Sequence, residues 1–369
     1  MNTMTTMRTT LELILLAVCL GLAVNTVALS TERLPPAPDG GNLTLQIVEQ
    51  PATPVLSHGM PGTEGIRYGF EGGCVLKLDN AYHLFVSEMV DDPFWVKMKL
   101  AHWGSPDGRK WQRMSTLMES SGNYDGTDPR AAVWAPMPVY SDRDDRWNLF
   151  YVAYRCAPDP PDRWLTNHEG RIWRAVSQTP GPHGYDGPYR DVGIVLEPGA
   201  DSDSWEGLQG TDSFFPFRMG ERWLAFYGSA NTQDKQIGKW QVGLAESETL
   251  AGTWKRLSAT NPVALDPQLG VENPVVTRLQ DGTYVAVFDV ILRSDRLGYT
   301  TSPDGRHWSP AQYLVLNSAQ SWVSDLRTPL GLIDEGSGQF TLHYTGYSDL
   351  AGVGKYGSLG MLRLKLVRP

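Results

Sequence analysis

The chain has 369 residues, with 13 Trp, 15 Tyr, 38 Gly and 26 Pro, and no apolar-periodic run outside its N-terminus is long enough for a helix. This is an all-β composition. A net charge of −9 without a Lys/Arg run excludes the electrostatic footprint of a nucleic-acid binder and favours a neutral or cationic partner over a polyanion.

The N-terminal segment 1–30 carries Arg8, an apolar stretch from Leu11 to Val24, and small residues at Ala28 and Ser30. This is the pattern of a cleaved secretory signal; the apolar stretch is short for a membrane span, and an uncleaved anchor is the alternative. A secreted or periplasmic protein, free of the membrane after cleavage, is expected. Cys19 sits among apolar residues, unlike a lipoprotein cysteine. Residues 31–42 read as a Pro/Gly linker, and Asn42-Leu43-Thr44 is a glycosylation sequon that matters only in a eukaryotic host. Residues 43–369 read as a single domain. Its two cysteines, Cys74 and Cys156, are too few for a disulfide framework; they read as separate buried thiols, with a pairing between neighbouring repeats as the alternative.

One pattern then recurs five times. EGGCVLKLDNAYHLFV starts at Glu71, APMPVYSDRDDRWNLFYVAY at Ala135, TDSFFPFRMGERWLAFYG at Thr211, ENPVVTRLQDGTYVAVFD at Glu272 and TPLGLIDEGSGQFTLHYTGY at Thr328. Each reads as a hairpin followed by a third strand, which in the first four copies ends in small and hydroxyl residues and is followed by a short fourth strand. A repeat of this length predicts four-stranded blades and a five-bladed β-propeller. The last copy lacks a fourth strand; Leu43 to Val48 is predicted to supply it, pairing near Gly360 to Val367 and closing the ring.

Counting back from the aromatic that opens each second strand puts Glu71, Ala135, Asp212, Glu272 and Thr328 at one equivalent position. In a propeller the first strands line the axis, so their heads converge on one funnel. The entering loops bring Arg130 and Trp134 from the second copy, Trp205 and Glu206 from the third, and Asp325 and Arg327 from the fifth. Trp134 is suited to stacking on the apolar face of a sugar ring, or to packing between blades. His168, in the irregular connection 156–171 with Trp164, reads as a loop histidine or a catalytic one. His343 occupies a second-strand slot filled elsewhere by apolar residues and reads as core.

Three converging carboxylates, Glu71, Asp212 and Glu272, repel one another and shift each other's proton affinity, an arrangement that marks chemistry or a cation. Glycoside hydrolysis needs a protonated acid at the leaving oxygen and an ionised carboxylate to activate water, and a third carboxylate can hold the acid's proton.

Trp134-Ala135-Pro136 before a hydrophobic strand, Asp212 in TDSFFPF followed by ERWLAFYGS, and Glu272 in ENPVV followed by DGTYVAVF resemble the five-bladed furanosidase superfamily of glycoside hydrolase families 43, 62, 32 and 117, family 43 above all. The resemblance spans residues 43–369. It implies a monomeric enzyme acting on an oligosaccharide or polysaccharide, arabinofuranosidase-, xylosidase- or galactosidase-like, requiring no cofactor but admitting a calcium ion on the axis. It implies Glu272 as general acid, Asp212 as the group that tunes it, and Arg327 as a substrate contact. The family's base is an aspartate; here Glu71 stands in its place, one methylene longer, with Asp91 and Asp92 in reserve. SPDGRKW (105–111) and SPDGRHW (302–308) resemble the Asp-box of sialidases but lack one residue between Asp and Gly, and read as tight turns. Two other classes are carried alongside: a carbohydrate-binding propeller without catalysis, and a sialidase-like or lyase propeller. A sialidase would need an arginine cluster, for which only Arg130, Arg327 and Arg67 are at hand.

Overall fold

A computed structural model describes residues 43–160, 166–230, 240–266, 268–291 and 293–368. The expectations for the signal segment, the linker, Asn42 and Trp164 lie outside the described residues.

Among the described residues, twenty strands fall into five consecutive groups. The first is β2 (Gly69–Leu78), β3 (Ala81–Asp91), β4 (Lys97–Ser105) and β5 (Gln112–Glu119). The second is β6 (Ala132–Ser141), β7 (Arg146–Cys156), β8 (Asn167–Ser177) and β9 (Tyr189–Leu196). The third is β10 (Asp212–Met219), β11 (Arg222–Ala230), β12 (Trp240–Ser247) and β13 (Lys255–Arg256). The fourth is β14 (Val271–Arg278), β15 (Tyr284–Val290), β16 (Arg296–Ser302) and β17 (Gln312–Val315). The fifth is β18 (Asp325–Gly336), β19 (Gln339–Leu350) and β20 (Gly354–Val367), against which β1 (Thr44–Glu49) pairs antiparallel, Thr44 opposite Val367. Within each group neighbouring strands pair antiparallel in chain order.

Burial explains the strand sequences. The second strands are apolar without alternation, as in β15, where every residue from Tyr284 to Val290 is buried, because neighbouring sheets cover both faces. The outer strands β5 and β9 alternate between covered and exposed positions, as a sheet edge in contact with water does. Aromatic rings join the groups: Phe150 of the second lies 5.2 Å from Phe214 of the third, and Phe214 lies 5.0 Å from Trp254.

The first strands touch in a cycle. β2 contacts β6, β6 contacts β10, β10 contacts β14, β14 contacts β18 and β18 contacts β2. The fifth group also meets the first through a parallel contact of Gly69 with Gly357. Glu335 reinforces that seam, bound to Lys77 of the first group at 2.5 Å and to Arg363 of the fifth at 3.2 Å.

Both SPDG stretches are tight turns. The Asp107 carboxylate accepts from the backbone N–H groups of Arg109 and Lys110, each at 2.8 Å, and Asp304 does the same for Arg306 and His307. Cys74 and Cys156 are separate, buried and free; burial raises both thiols, Cys156 to about 12. His343 is fully buried, one ring nitrogen 3.0 Å from the Gly108 carbonyl oxygen, and burial lowers its pKa to about 4.

One positional expectation is corrected. The residue equivalent to Glu71, Asp212 and Glu272 in the second group is Trp134, not Ala135. Trp134 pairs with Val152 just before the register slips, as Glu71 pairs with Ser87, Asp212 with Gly228 and Glu272 with Asp289. Trp134 stands 13 residues before Trp147 and Glu71 only 11 before Tyr82, because four residues (142–145) separate β6 from β7 where only Asp79 and Asn80 separate β2 from β3; Ala135, 12 residues before Trp147, falls one short. In the fifth group the register passes from Leu326 to Pro329, and Arg327 and Thr328 both fall in the slip.

Candidate active site

Each first strand of the first four groups breaks its ladder at the same point. Immediately after Glu71, Trp134, Asp212 and Glu272 come Gly72, Ala135, Ser213 and Asn273, with φ of 68°, 51°, 52° and 52°. Such bulges re-aim the preceding side chain. A left-handed conformation at Ala and Ser is strained, and persists only where the surroundings over-determine it. Hydrogen bonds between groups supply that determination. Ala135 N–H donates to Ser87 Oγ at 2.9 Å, Ser213 Oγ to Asn273 Oδ1 at 2.8 Å, and Asn273 Nδ2 to Thr328 Oγ1 at 3.2 Å.

The re-aimed side chains line one cavity of about 340 Å³, which holds Glu71, Asp212 and Glu272 together with Arg327, Asp325 and Lys355, and is walled by Trp95, Trp134, Trp240, Tyr154 and Tyr347. Its size lies at the small end of the ~300–1,000 Å³ typical of ligand pockets.

Glu272 is buried. Burial pushes its carboxyl well above the ordinary carboxylate range; Arg327 opposes the shift, and the charges of Asp212, Asp289 and Glu71 add to it. Asp212 accepts a hydrogen bond from the Ser213 N–H at 2.6 Å. Burial raises its carboxyl as well, and the Tyr154 hydroxyl, the Ser213 N–H and Glu272 pull it back down. The surroundings thus favour the acid form of Glu272, with Asp212 beside it.

Arg327 is the cation set among these acids. Its Nη2 lies 3.1 Å from Glu71 Oε1 and 3.5 Å from Glu272 Oε2, and its Nη1 lies 3.6 Å from Asp289 Oδ2. Burial would lower its pKa, but Glu71, Asp289 and Glu272 raise it further, so the guanidinium stays charged. The other oxygen of Glu71 accepts a hydrogen bond from the Tyr347 hydroxyl.

Of the expected site residues, Glu71, Asp212, Glu272, Trp134, Asp325 and Arg327 line the cavity. Asp325 is paired there with Lys355 at 3.3 Å. Arg130 and Trp205 are not among the lining residues. Arg130 is bound to Asp191 on β9 and lies 5.2 Å from the Trp173 ring. Trp205 packs 5.4 Å from Tyr227 and donates to Asp203 at 3.3 Å. Both belong to outer parts of their groups, where a loop that reads as entering the funnel instead folds back on its own sheet. Asp91 and Asp92 are more than half exposed and pair with Arg67, which leaves Glu71 as the candidate base. Arg327 is the only one of the three arginines Arg67, Arg130 and Arg327 in the cavity. His168 is buried, one ring nitrogen 3.3 Å from the Thr166 carbonyl oxygen, and is not a lining residue.

Asp289, Tyr154, Tyr347, Trp95 and Trp240 are site residues that the sequence pattern did not single out. Asp289 carries a legible signal, an acid closing the apolar strand YVAVFD directly opposite Glu272. It is buried, and burial raises its carboxyl to about 6 against the pull of Arg327. Tyr154 and Tyr347 lie near the ends of second strands, where nothing local separates a polar contact from core.

For the axial calcium admitted by the resemblance, no group of three or more His, Cys, Asp or Glu side chains among the described residues is placed to hold a metal ion.

The sequence matches no family model and no curated protein. Solved structures do resemble it. A thermostable family-43 glycoside hydrolase is 16% identical, with a TM-score of 0.51, over 82% of this chain and 93% of that one. The GH43_1 enzyme of Xanthomonas citri, complexed with xylotriose, is 14% identical with a TM-score of 0.52, over 84% and 88%. A third structure, described simply as a glycoside hydrolase, is 14% identical with a TM-score of 0.57, over 81% and 88%. At these identities the likeness is one of fold, and the chain has the all-β fold of the family-43 glycoside hydrolases.

Proposed function

We propose that the protein is a glycoside hydrolase, with Glu272 as general acid, Asp212 as the neighbour that tunes and orients it, and Glu71 as general base. The observation that carries this is the split between two carboxyls in one cavity. Glu272 is driven toward its protonated form by burial and by Asp212, while Glu71 faces a charged arginine at 3.1 Å. A carboxyl pushed toward its acid form and a second carboxyl held by a cation in the same cavity are the pair that acid–base chemistry needs. Trp95 and Trp134 supply flat apolar walls of the kind a sugar ring stacks on. The structural neighbours are glycoside hydrolases by description, which supports the same reading. Arabinose-, xylose- or galactose-containing glycans of plant or algal type are the proposed substrates.

The five groups of strands are proposed to be the blades of a five-bladed propeller, closed by β1 on β20; the cycle of first-strand contacts supports it. In that ring β18 stands between β2 and β14, so Glu71 and Glu272 approach from either side of Arg327. Both reach the same Arg327 nitrogen, at 3.1 and 3.5 Å, so the two contacting oxygens stand no more than about 6.6 Å apart, at the lower edge of the roughly 6.5–9.5 Å that admits a water, and inversion of the anomeric centre is the proposed outcome. Glu272 protonates the leaving oxygen, Glu71 takes a proton from the water that attacks the opposite face, and no covalent intermediate forms.

The test is a screen of the protein without its first 42 residues against arabino-, xylo-, galacto- and fructo-oligosaccharides, with product analysis. Hydrolysis of one class is expected. Binding without turnover after long incubation would point to a carbohydrate-binding propeller instead.

A further inference from the structure

Tyr347 is buried, lies on β19 and lines the cavity, and it has no role in the acid–base chemistry described above. Its hydroxyl donates to Glu71 Oε2. The indole N–H of Trp95 reaches the same hydroxyl at 3.4 Å, and Lys355 Nζ sits 4.5 Å from the centre of the phenol ring. The opposite oxygen of Glu71 is held by Nε and Nη2 of Arg327, both at 3.1 Å. Both oxygens of one carboxylate are thus gripped from neighbouring strands of the fifth group, while the carboxylate itself stands on the first.

A glutamate has one more rotatable bond than the aspartate that the resemblance places here, and an unrestrained side chain of this length wanders among rotamers. A general base must be held within a fraction of an ångström of its water to be effective. Arg327 alone cannot provide this, because its Nη2 also lies 3.5 Å from Glu272 and its Nη1 faces Asp289. Resting on the reading of Glu71 as base, we propose that Tyr347 is a positioning residue that completes a two-sided clamp on Glu71 and so fixes the base in the cavity. Burial and the Glu71 charge keep the phenol protonated, its pKa raised well above the ordinary tyrosine value, so it remains a donor at any working pH. The residues facing Glu71 are Arg327 from β18, Tyr347 from β19, Glu272 from β14, Asp212 from β10 and Asp289 from β15; of these, Arg327 and Tyr347 are the donors.

The experiment is a double-mutant cycle of Tyr347→Phe and Glu71→Gln, assayed on an activated aryl glycoside and an unactivated oligosaccharide of the sugar that the wild-type protein cleaves. Tyr347→Phe keeps the ring and removes only the hydroxyl. It is expected to lower kcat roughly 10- to 100-fold, the scale of a slightly misplaced catalytic group, with KM within about twofold and thermal unfolding close to wild type. The loss is expected to be the same on both substrates, because leaving-group protonation is untouched, and to vanish in the Glu71→Gln background, because the tyrosine acts only through Glu71. Wild-type rates in Tyr347→Phe, a loss that simply adds to that of Glu71→Gln, or a glycosyl adduct on Tyr347 detected by mass spectrometry would each overturn the proposal. Should the wild-type protein cleave no glycoside, the functional reading falls, and crystal structures of both forms still decide the clamp. A Glu71 side chain displaced in Tyr347→Phe upholds it, and one left in place overturns it.

Discussion

Glu272 and Asp212 stand on neighbouring first strands and line the same cavity. Burial disfavours charge on Glu272, and the charge of Asp212 raises its pKa further. On the proposed reading the acid form of Glu272 must be present for catalysis, so the pH at which it deprotonates sets the alkaline limb of the activity profile. Asp212→Asn removes a negative charge beside Glu272; its pKa falls, and the alkaline limb of kcat/KM is expected to move down by about one pH unit or more. An unmoved limb would show that Asp212 does not tune the acid. Glu272→Gln is expected to lose roughly 10²- to 10⁴-fold on substrates with poor leaving groups and far less on activated aryl glycosides, whose leaving groups need little protonation. Equal losses on both would count against the assignment. Glu71, Asp212 and Glu272 were readable in the sequence because each sits at the head of an apolar strand, where a charge is out of place. Asp289 and the two tyrosines were not, since a residue at the end of a second strand takes its role from a neighbouring group that local sequence does not reveal. Arg130 and Trp205 read as funnel residues by their position before a first strand, yet each found a closer partner on its own sheet.

At the scale of the element, the repeated bulge is what turns a strand head into a site. The hairpins themselves were legible, because alternation, aromatic strand openings and Gly- or Asp-containing turns all point the same way. The bulge was not, and the longer turn between β6 and β7, equally unread, moved the equivalent position in the second group from Trp134 to Ala135. The seam between the first and fifth groups has its own requirement. At Gly69 φ is +87°, and an added Cβ would stand 2.0 Å from the Gly357 carbonyl oxygen, an overlap that forces the two backbones apart. Gly69→Ala is expected to cost more than about 2 kcal/mol, through left-handed strain and the clash together. Thermal unfolding measures it, as a Tm lowered by roughly 4 °C or more; an unchanged Tm would show that the seam tolerates separation.

For the whole molecule, the cycle of first-strand contacts is what brings acids from distant parts of the chain, Glu71 and Glu272, to opposite sides of one arginine. The pairing of β1 with β20 was foreseeable from a last repeat short of one strand, and it ties the start of the described chain to its end. On the proposed reading this arrangement performs a single displacement, with Glu71 activating water against a sugar that Glu272 protonates. One shared nitrogen at 3.1 and 3.5 Å keeps the two carboxyls close, and direct attack by Glu71 would need a separation of about 5–5.5 Å where a water needs roughly 6.5–9.5 Å. Proton NMR of the first-formed product, recorded before mutarotation, separates the two. The anomer opposite to that of the substrate is the predicted result; a product with the substrate's own configuration would contradict the single displacement and make Glu71 a nucleophile.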